Sequence, residues 1–187
     1  TGIAAADFIA RWNGSNWFAL GSNGAGDGPF FGSVEALAVS GSNLYVGGYF
    51  QNAAGKAKAD RVARWNGSNW FALGSNGAGN GAINDAVYAL AVSNGKVFTG
   101  GLFTNAAGRA KADFLARWNG SRWSALGSNG AGNGALNNTV YALAVSGGNV
   151  YVGGGFANAA GIAAADAIAC WNGSNWSALG SDCAPGS

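Results

Sequence analysis

The stretch ARWNGSNWFALG (Ala10–Gly21) occurs four times in this chain. It returns as Ala63–Gly74, as ARWNGSRWSALG (Ala116–Gly127) and as ACWNGSNWSALG (Ala169–Gly180). The step is 53 residues throughout, and all eight Trp obey it: Trp12, Trp65, Trp118 and Trp171 in one series, Trp17, Trp70, Trp123 and Trp176 in the other. Asp7, Asp60, Asp113 and Asp166 keep the same step. A period of this length belongs to stacked units, each too small to cover its own apolar surface: a solenoid, a propeller or an array.

One period reads as four short strands, A to D. In the last copy they are TVYALAVS (Thr139–Ser146), NVYVGGGF (Asn149–Phe156), DAIACWN (Asp166–Asn172) and NWSALG (Asn175–Gly180). Each is rich in β-branched and aromatic residues and is bounded by Gly, Asn or Ser. Asn13-Gly14 predicts a two-residue hairpin between C and D, because a type I′ turn needs positive φ at both central positions. Such a loop sets Trp12 against Ser15, Arg11 against Asn16 and Ala10 against Trp17. Alternation then places Ala10, Trp12, Trp17 and Ala19 on one face and Ile9, Arg11 and Leu20 on the other. Apolar residues on both faces predict a sheet covered on both sides. The eight Trp are therefore expected to be core between stacked sheets rather than sugar-stacking platforms.

The Gly pairs Gly47-Gly48, Gly100-Gly101 and Gly153-Gly154 close the B strands, and ARWNGSNW follows YVGG by about fifteen residues. This pattern resembles kelch-type repeats, as in the central domain of galactose oxidase. The resemblance implies an all-β fold of β-propeller type, built from four-stranded antiparallel blades. It does not imply oxidase activity, since the copper-ligand histidines have no counterpart. The units are a C–D half-blade at 1–23, full blades at 34–76, 87–129 and 140–182, and a tail at 183–187, forming one repeat domain. Three blades fall short of the usual four to eight of a closed ring. The expectation is a piece of a longer chain, or a protomer completed by other chains.

The chemical inventory is thin. His is absent and Glu35 is the only Glu, so Ser-His-Asp and Cys-His catalysis and His-bearing metal sites are excluded. Charged residues make up 10% against 49% hydrophobic, the reverse of a disordered chain. A net charge of +2 suggests neither nucleic acid nor an anionic membrane as partner. No apolar run reaches the ~18 residues of a membrane span. The chain starts at Thr1 and contains no Met, as expected of a processed or excised chain.

The repeated Asp stand without a second acid, which favours turn capping over metal or ligand binding. GSNGAGDGP (Gly21–Pro29) and GSNGAGNGA (Gly74–Ala82) lack the Lys-Ser/Thr ending of a phosphate cradle and read as flexible surface loops. Lys56, Lys58, Arg61, Arg109 and Lys111 gather on the B–C loops, as a solubilising rim or as an attraction for an acidic glycan. Asn13, Asn66, Asn119, Asn172 and Asn137 each open an N-glycosylation sequon, although the hairpin turn already accounts for Asn-Gly in four of them.

Cys170 stands where Arg11, Arg64 and Arg117 stand in the other copies, and Cys183 lies in the tail. Together they suggest a disulfide staple. A straight strand would part them by roughly 25 Å, so the tail must turn back or the bond must join two chains.

The reading that results is a non-catalytic, cofactor-free, extracellular structural or adhesive module. It is expected to form a homo-oligomer or larger assembly. The rival reading is a lectin with repeated glycan sites on the face of the long B–C and D–A loops.

Overall fold

The computed structural model describes residues 3–180. It is all-β, with blade-like antiparallel sheets. Among the described residues, β1 (Arg11–Trp12) and β2 (Trp17–Phe18) form a two-stranded sheet. Three four-stranded sheets follow. The first holds β3 (Phe31–Ser40), β4 (Asn43–Gln51), β5 (Val62–Trp65) and β6 (Trp70–Ala72). The second holds β7 (Val87–Ser93), β8 (Lys96–Gly101), β9 (Leu115–Trp118) and β10 (Trp123–Ser124). The third holds β11 (Val140–Ser146), β12 (Asn149–Gly154), β13 (Ile168–Trp171) and β14 (Trp176–Ala178). Strands neighbour in sequence order, so the A to D frame holds in each sheet.

The hairpin register differs from the two-residue expectation. Trp12 pairs directly with Trp17 and Arg11 with Phe18, and the later hairpins repeat this as Trp65–Trp70, Trp118–Trp123 and Trp171–Trp176. The link is four residues long, Asn13–Asn16, and of its residues only Gly14 has positive φ. The cause is the Asn side chain. Asn13 Oδ1 accepts the amides of Ser15 (2.9 Å) and Asn16 (2.8 Å), doing for the turn what a type I′ backbone would have done. The division into faces survives the shift, since Ala63 pairs with Ala72 on the Trp side and Arg64 with Phe71 on the other.

The Gly pairs have two separate duties. A β-carbon on Gly48, Gly101 or Gly154 would collide with the backbone of its own A strand, at Ser33, Ala86 and Thr139 respectively. One on Gly47 or Gly100 would collide with Val87 or Val140 of the next sheet. So the second Gly lets strand A approach, and the first lets the next blade approach. Each A strand also carries a bulge at one position, occupied by Glu35, Tyr88 or Tyr141.

The cores lie between sheets rather than within them. One contains Ile9 and Leu20 of the first hairpin with Phe30, Val46, Phe50 and Trp70. The next joins Tyr45, Val62 and Leu73 to Val87, Leu90, Val97 and Trp123. The last joins Phe98, Leu115 and Leu126 to Val140, Val150 and Trp176. β7 packs against both β3 and β11, so the A strands of successive sheets are neighbours.

Gly101→Ala is expected to destabilise the chain by about 1–3 kcal/mol, because strand A must move to admit a methyl group. Chemical denaturation measures it, and an unchanged midpoint would contradict the close A–B approach.

Candidate functional site

The recurring side chains converge on two places: the seams between sheets and the face formed by the long loops. At each seam the second Trp of a hairpin reaches back to the preceding one. Trp70 Nε1 donates to the Leu20 carbonyl (2.5 Å), Trp123 Nε1 to Leu73 (2.5 Å) and Trp176 Nε1 to Leu126 (2.6 Å). The three indoles are buried. An indole N–H taken from water needs an acceptor, and the Leu carbonyl at the end of strand D supplies it. The Gly after each Leu makes room. Gly21, Gly74 and Gly127 have φ of 82°, 78° and 81°, and a β-carbon on them would lie 3.0–3.3 Å from an indole of the next sheet. Ala-Leu-Gly is thus the receiving half of the seam and the Trp pair is the inserting half.

The expectation that all eight Trp are buried needs correction. Trp65, Trp118 and Trp171 are half-buried, while Trp12 and Trp17 are 50% and 56% exposed. The physical reason is position: the first hairpin receives the Trp pair of the next sheet, but no described sheet stands on its own Trp side. Leu179, the fourth member of the Leu series, is likewise exposed.

On the loop face, the Asp series ties loops together. Asp60 accepts the Asn52 amide on one oxygen (2.8 Å) and the Gly81 amide on the other (2.9 Å). Asp113 repeats this with Asn105 (2.7 Å) and Gly134 (3.5 Å). Asp7 accepts Gly28, and Asp166 accepts Asn158. Each B–C loop also donates to the D–A loop before it, from Ala54 to Pro29, Ala107 to Ala82 and Ala160 to Ala135. The Gly-rich loops close on themselves: Asn23, Asn76 and Asn129 each accept the amide two residues on. These loops are surface turns joined to their neighbours by backbone and side-chain hydrogen bonds.

Arg61 is no rim residue. It is 8% exposed at φ 61°, stacks 4.1 Å over Tyr49 and donates through Nη1 to the Phe50 carbonyl (3.0 Å). The matching positions hold Phe8, Phe114 and Ala167, all with positive φ. A recess beside it is lined by Gln51, Asn76, Asn80 and Asn84. Lys56, Lys58, Arg109 and Lys111 are exposed.

The sequon Asn13, Asn66 and Asn119 are exposed and Asn172 half-buried, and all four shape their turns through Oδ1. Asn137 Oδ1 accepts the Ala157 amide. Cys170 is fully buried on β13, paired in register with Ser177, whereas Cys183 and the tail 183–187 lie outside the described residues.

Among the described residues no group of three or more His, Cys, Asp or Glu is placed to hold a metal ion, and no helix is long and apolar enough to cross a membrane.

No protein-family model matches the chain, kelch repeats included, and no curated protein matches it. Among solved structures, the computationally designed Ika8 protein is similar at 20% identity and a TM-score of 0.42, over 74% of this chain and 33% of that one. The GH74 enzyme of Niastella koreensis is similar at 15% identity and a TM-score of 0.39, over 90% of this chain and 33% of that one. The chain thus spans about a third of the length of each.

Trp123→Ala is expected to cost about 3–5 kcal/mol. Trp17→Ala, on an exposed hairpin, is expected to change stability by about 0.5 kcal/mol or less in the single chain. Thermal unfolding of the two variants side by side tests the assignment of buried and open seams.

Proposed function

We propose that this is a non-catalytic extracellular structural or adhesive module of β-propeller type, kelch-like in its repeat, which assembles with other copies. One observation carries the reading. The Trp12–Trp17 pair is an open copy of a Trp pair that the chain packs against a preceding hairpin three times, each time burying its second indole. Its rings lie 5.4 Å apart at 47°, against 5.3 Å and 46° for Trp65–Trp70. An apolar surface with that geometry calls for cover, by another copy or by further sequence of the same chain. The fate of the other recurring groups supports the same role: the Asp carboxylates and Asn carbonyls are engaged by backbone amides, which serves architecture.

The extracellular part rests on Cys170 and Cys183, read as a disulfide, and on the five sequons, four of which sit on the tight C–D turns. Glycans at those turns would leave the long-loop face clear. The glycan-binding alternative requires equivalent sites around that face. The Arg61 recess does not repeat, since Phe114 and Ala167 replace the arginine.

The native mass tests assembly. Light scattering is expected to give multiples of the 18.5 kDa chain, rising with concentration. A single-chain mass at all concentrations, together with binding to several equivalent glycan sites per chain, would favour the lectin instead. Mass spectrometry of unreduced protein is expected to find Cys170 linked to Cys183, and two free thiols would remove the staple.

A further inference from the structure

One buried cation stands outside the repeat. Arg61 is 8% exposed, and the matching positions hold Phe8, Phe114 and Ala167. Its ring partner Tyr49 is equally singular, since Leu102 and Gly155 stand at the matching positions of the later copies. The backbone asks only for positive φ at this place, and a Phe or an Ala meets that demand without burying a charge. The packing common to all copies therefore does not account for the Tyr49–Arg61 pair.

The guanidinium is held but not fully satisfied. It stacks over Tyr49 at 4.1 Å, and Nη1 donates to the Phe50 carbonyl at 3.0 Å. The Arg61 amide donates to the same carbonyl at 2.9 Å. Nε is buried and has no hydrogen-bond partner among the described residues. The adjacent carboxylate of Asp60 accepts the Asn52 amide on one oxygen and the Gly81 amide on the other. A buried donor left unmet marks an absent partner, and leaving a cation so costs more than leaving a neutral group. Arg61 lines a recess of about 230 Å³ between its own B–C loop and the D–A loop that follows, well inside the chain. Stacking fixes the plane of the guanidinium. With Nη1 engaged, the Nε–Nη2 edge is the fork that a carboxylate fits.

We propose that this recess binds a small hydroxylated carboxylate, a hexuronic acid, with the carboxylate on the Arg61 fork. Three features choose the ligand. The volume lies below the ~300–1,000 Å³ of drug-sized sites, so one sugar ring is the limit. Asp60 also lines the recess, so a single negative charge is admitted where a phosphate dianion meets repulsion. The amides of Gln51, Asn52 and Asn80 stand around the same recess, and amides both donate to and accept from hydroxyls. The site occurs once per chain and holds whether or not copies assemble.

Titration calorimetry of the full chain with glucuronate, glucose and inorganic phosphate tests it. Glucuronate is expected to bind, and glucose, the same ring without the carboxylate, to bind at least about tenfold more weakly. Phosphate is expected to do no better than glucose. Arg61→Phe installs the residue of two matching positions and is expected to keep the melting temperature while weakening glucuronate at least about tenfold. Lys56→Ala, an exposed cation on the same loop, is expected to change nothing. In the unaltered chain the Arg61 Nε–H resonance is expected to shift with glucuronate and not with glucose, a readout that does not depend on a variant folding. Equal binding of glucuronate and glucose overturns the proposal. So does phosphate binding as tightly as glucuronate, or Arg61→Phe binding like the parent. If glucuronate does not bind at all and the Nε–H resonance stays in place, water serves Arg61 and the site falls.

Discussion

The buried indole N–H is the constraint on which the rest depends. A Trp packed between two sheets brings a large apolar surface and one donor that water can no longer reach. In this chain the donor finds a backbone carbonyl fifty residues upstream, three times, at 2.5–2.6 Å. That carbonyl must lie at the end of strand D, and the next residue must have no side chain. The Ala-Leu-Gly triplet follows directly. So does the constant 53-residue step, because the donor of one unit and the acceptor of the previous one must stay in phase. The stack is quasi-one-dimensional: each sheet touches its neighbours, and no single core organises the whole.

Such a stack needs its connecting loops fixed as well, or the sheets could slide along the seam. The Asp series does this. Asp60 holds the start of its own B–C loop with one oxygen and the following D–A loop with the other. A carboxylate accepting two backbone amides is well suited to the task, since charge-assisted bonds are shorter and stronger than neutral ones. Gly81 must be a glycine for the same reason that Gly21 must: a β-carbon on it would lie 2.8 Å from the Asp60 side chain. Part of the chain's high Gly content therefore records close approaches, of strand to strand, sheet to sheet and loop to loop, and much of the rest sits in turns at positive φ.

The period, the four strands, their faces and the outline of each blade were legible from sequence, because spacing and alternation depend only on backbone geometry. The hairpin register was not. Asn-Gly signals a type I′ turn when backbone alone closes the loop, but Asn13 Oδ1 replaces the backbone acceptor and lengthens the link to four residues. The bulge at Glu35, Tyr88 and Tyr141 left no mark, since an acid and two tyrosines share it and none of them is a residue that signals a bulge. Arg61 looked like a loop cation, yet its neighbour Tyr49 and the Phe50 carbonyl draw it inward. That position demands positive φ in every copy, a demand invisible in the set Phe8, Arg61, Phe114 and Ala167.

The Cys170 position shows how the other side of each C–D hairpin is used. In the first two hairpins an arginine lies there over the aromatic ring paired with it across the strands: Arg11 over Phe18 at 5.3 Å and Arg64 over Phe71 at 4.8 Å. In the third, Arg117 faces Ser124 and donates to its hydroxyl at 3.2 Å. In the fourth the partner is again a serine, Ser177, and the arginine is gone. The cross-strand contact thus weakens along the chain as the aromatic is replaced, while the Trp face opposite keeps the same pair of rings in all four hairpins. On the arginine face the seam is carried by the Leu and the Gly that follows it, so the arginine position itself was free to diverge. The Trp face was not, because it must fit the Leu-Gly step of a neighbour.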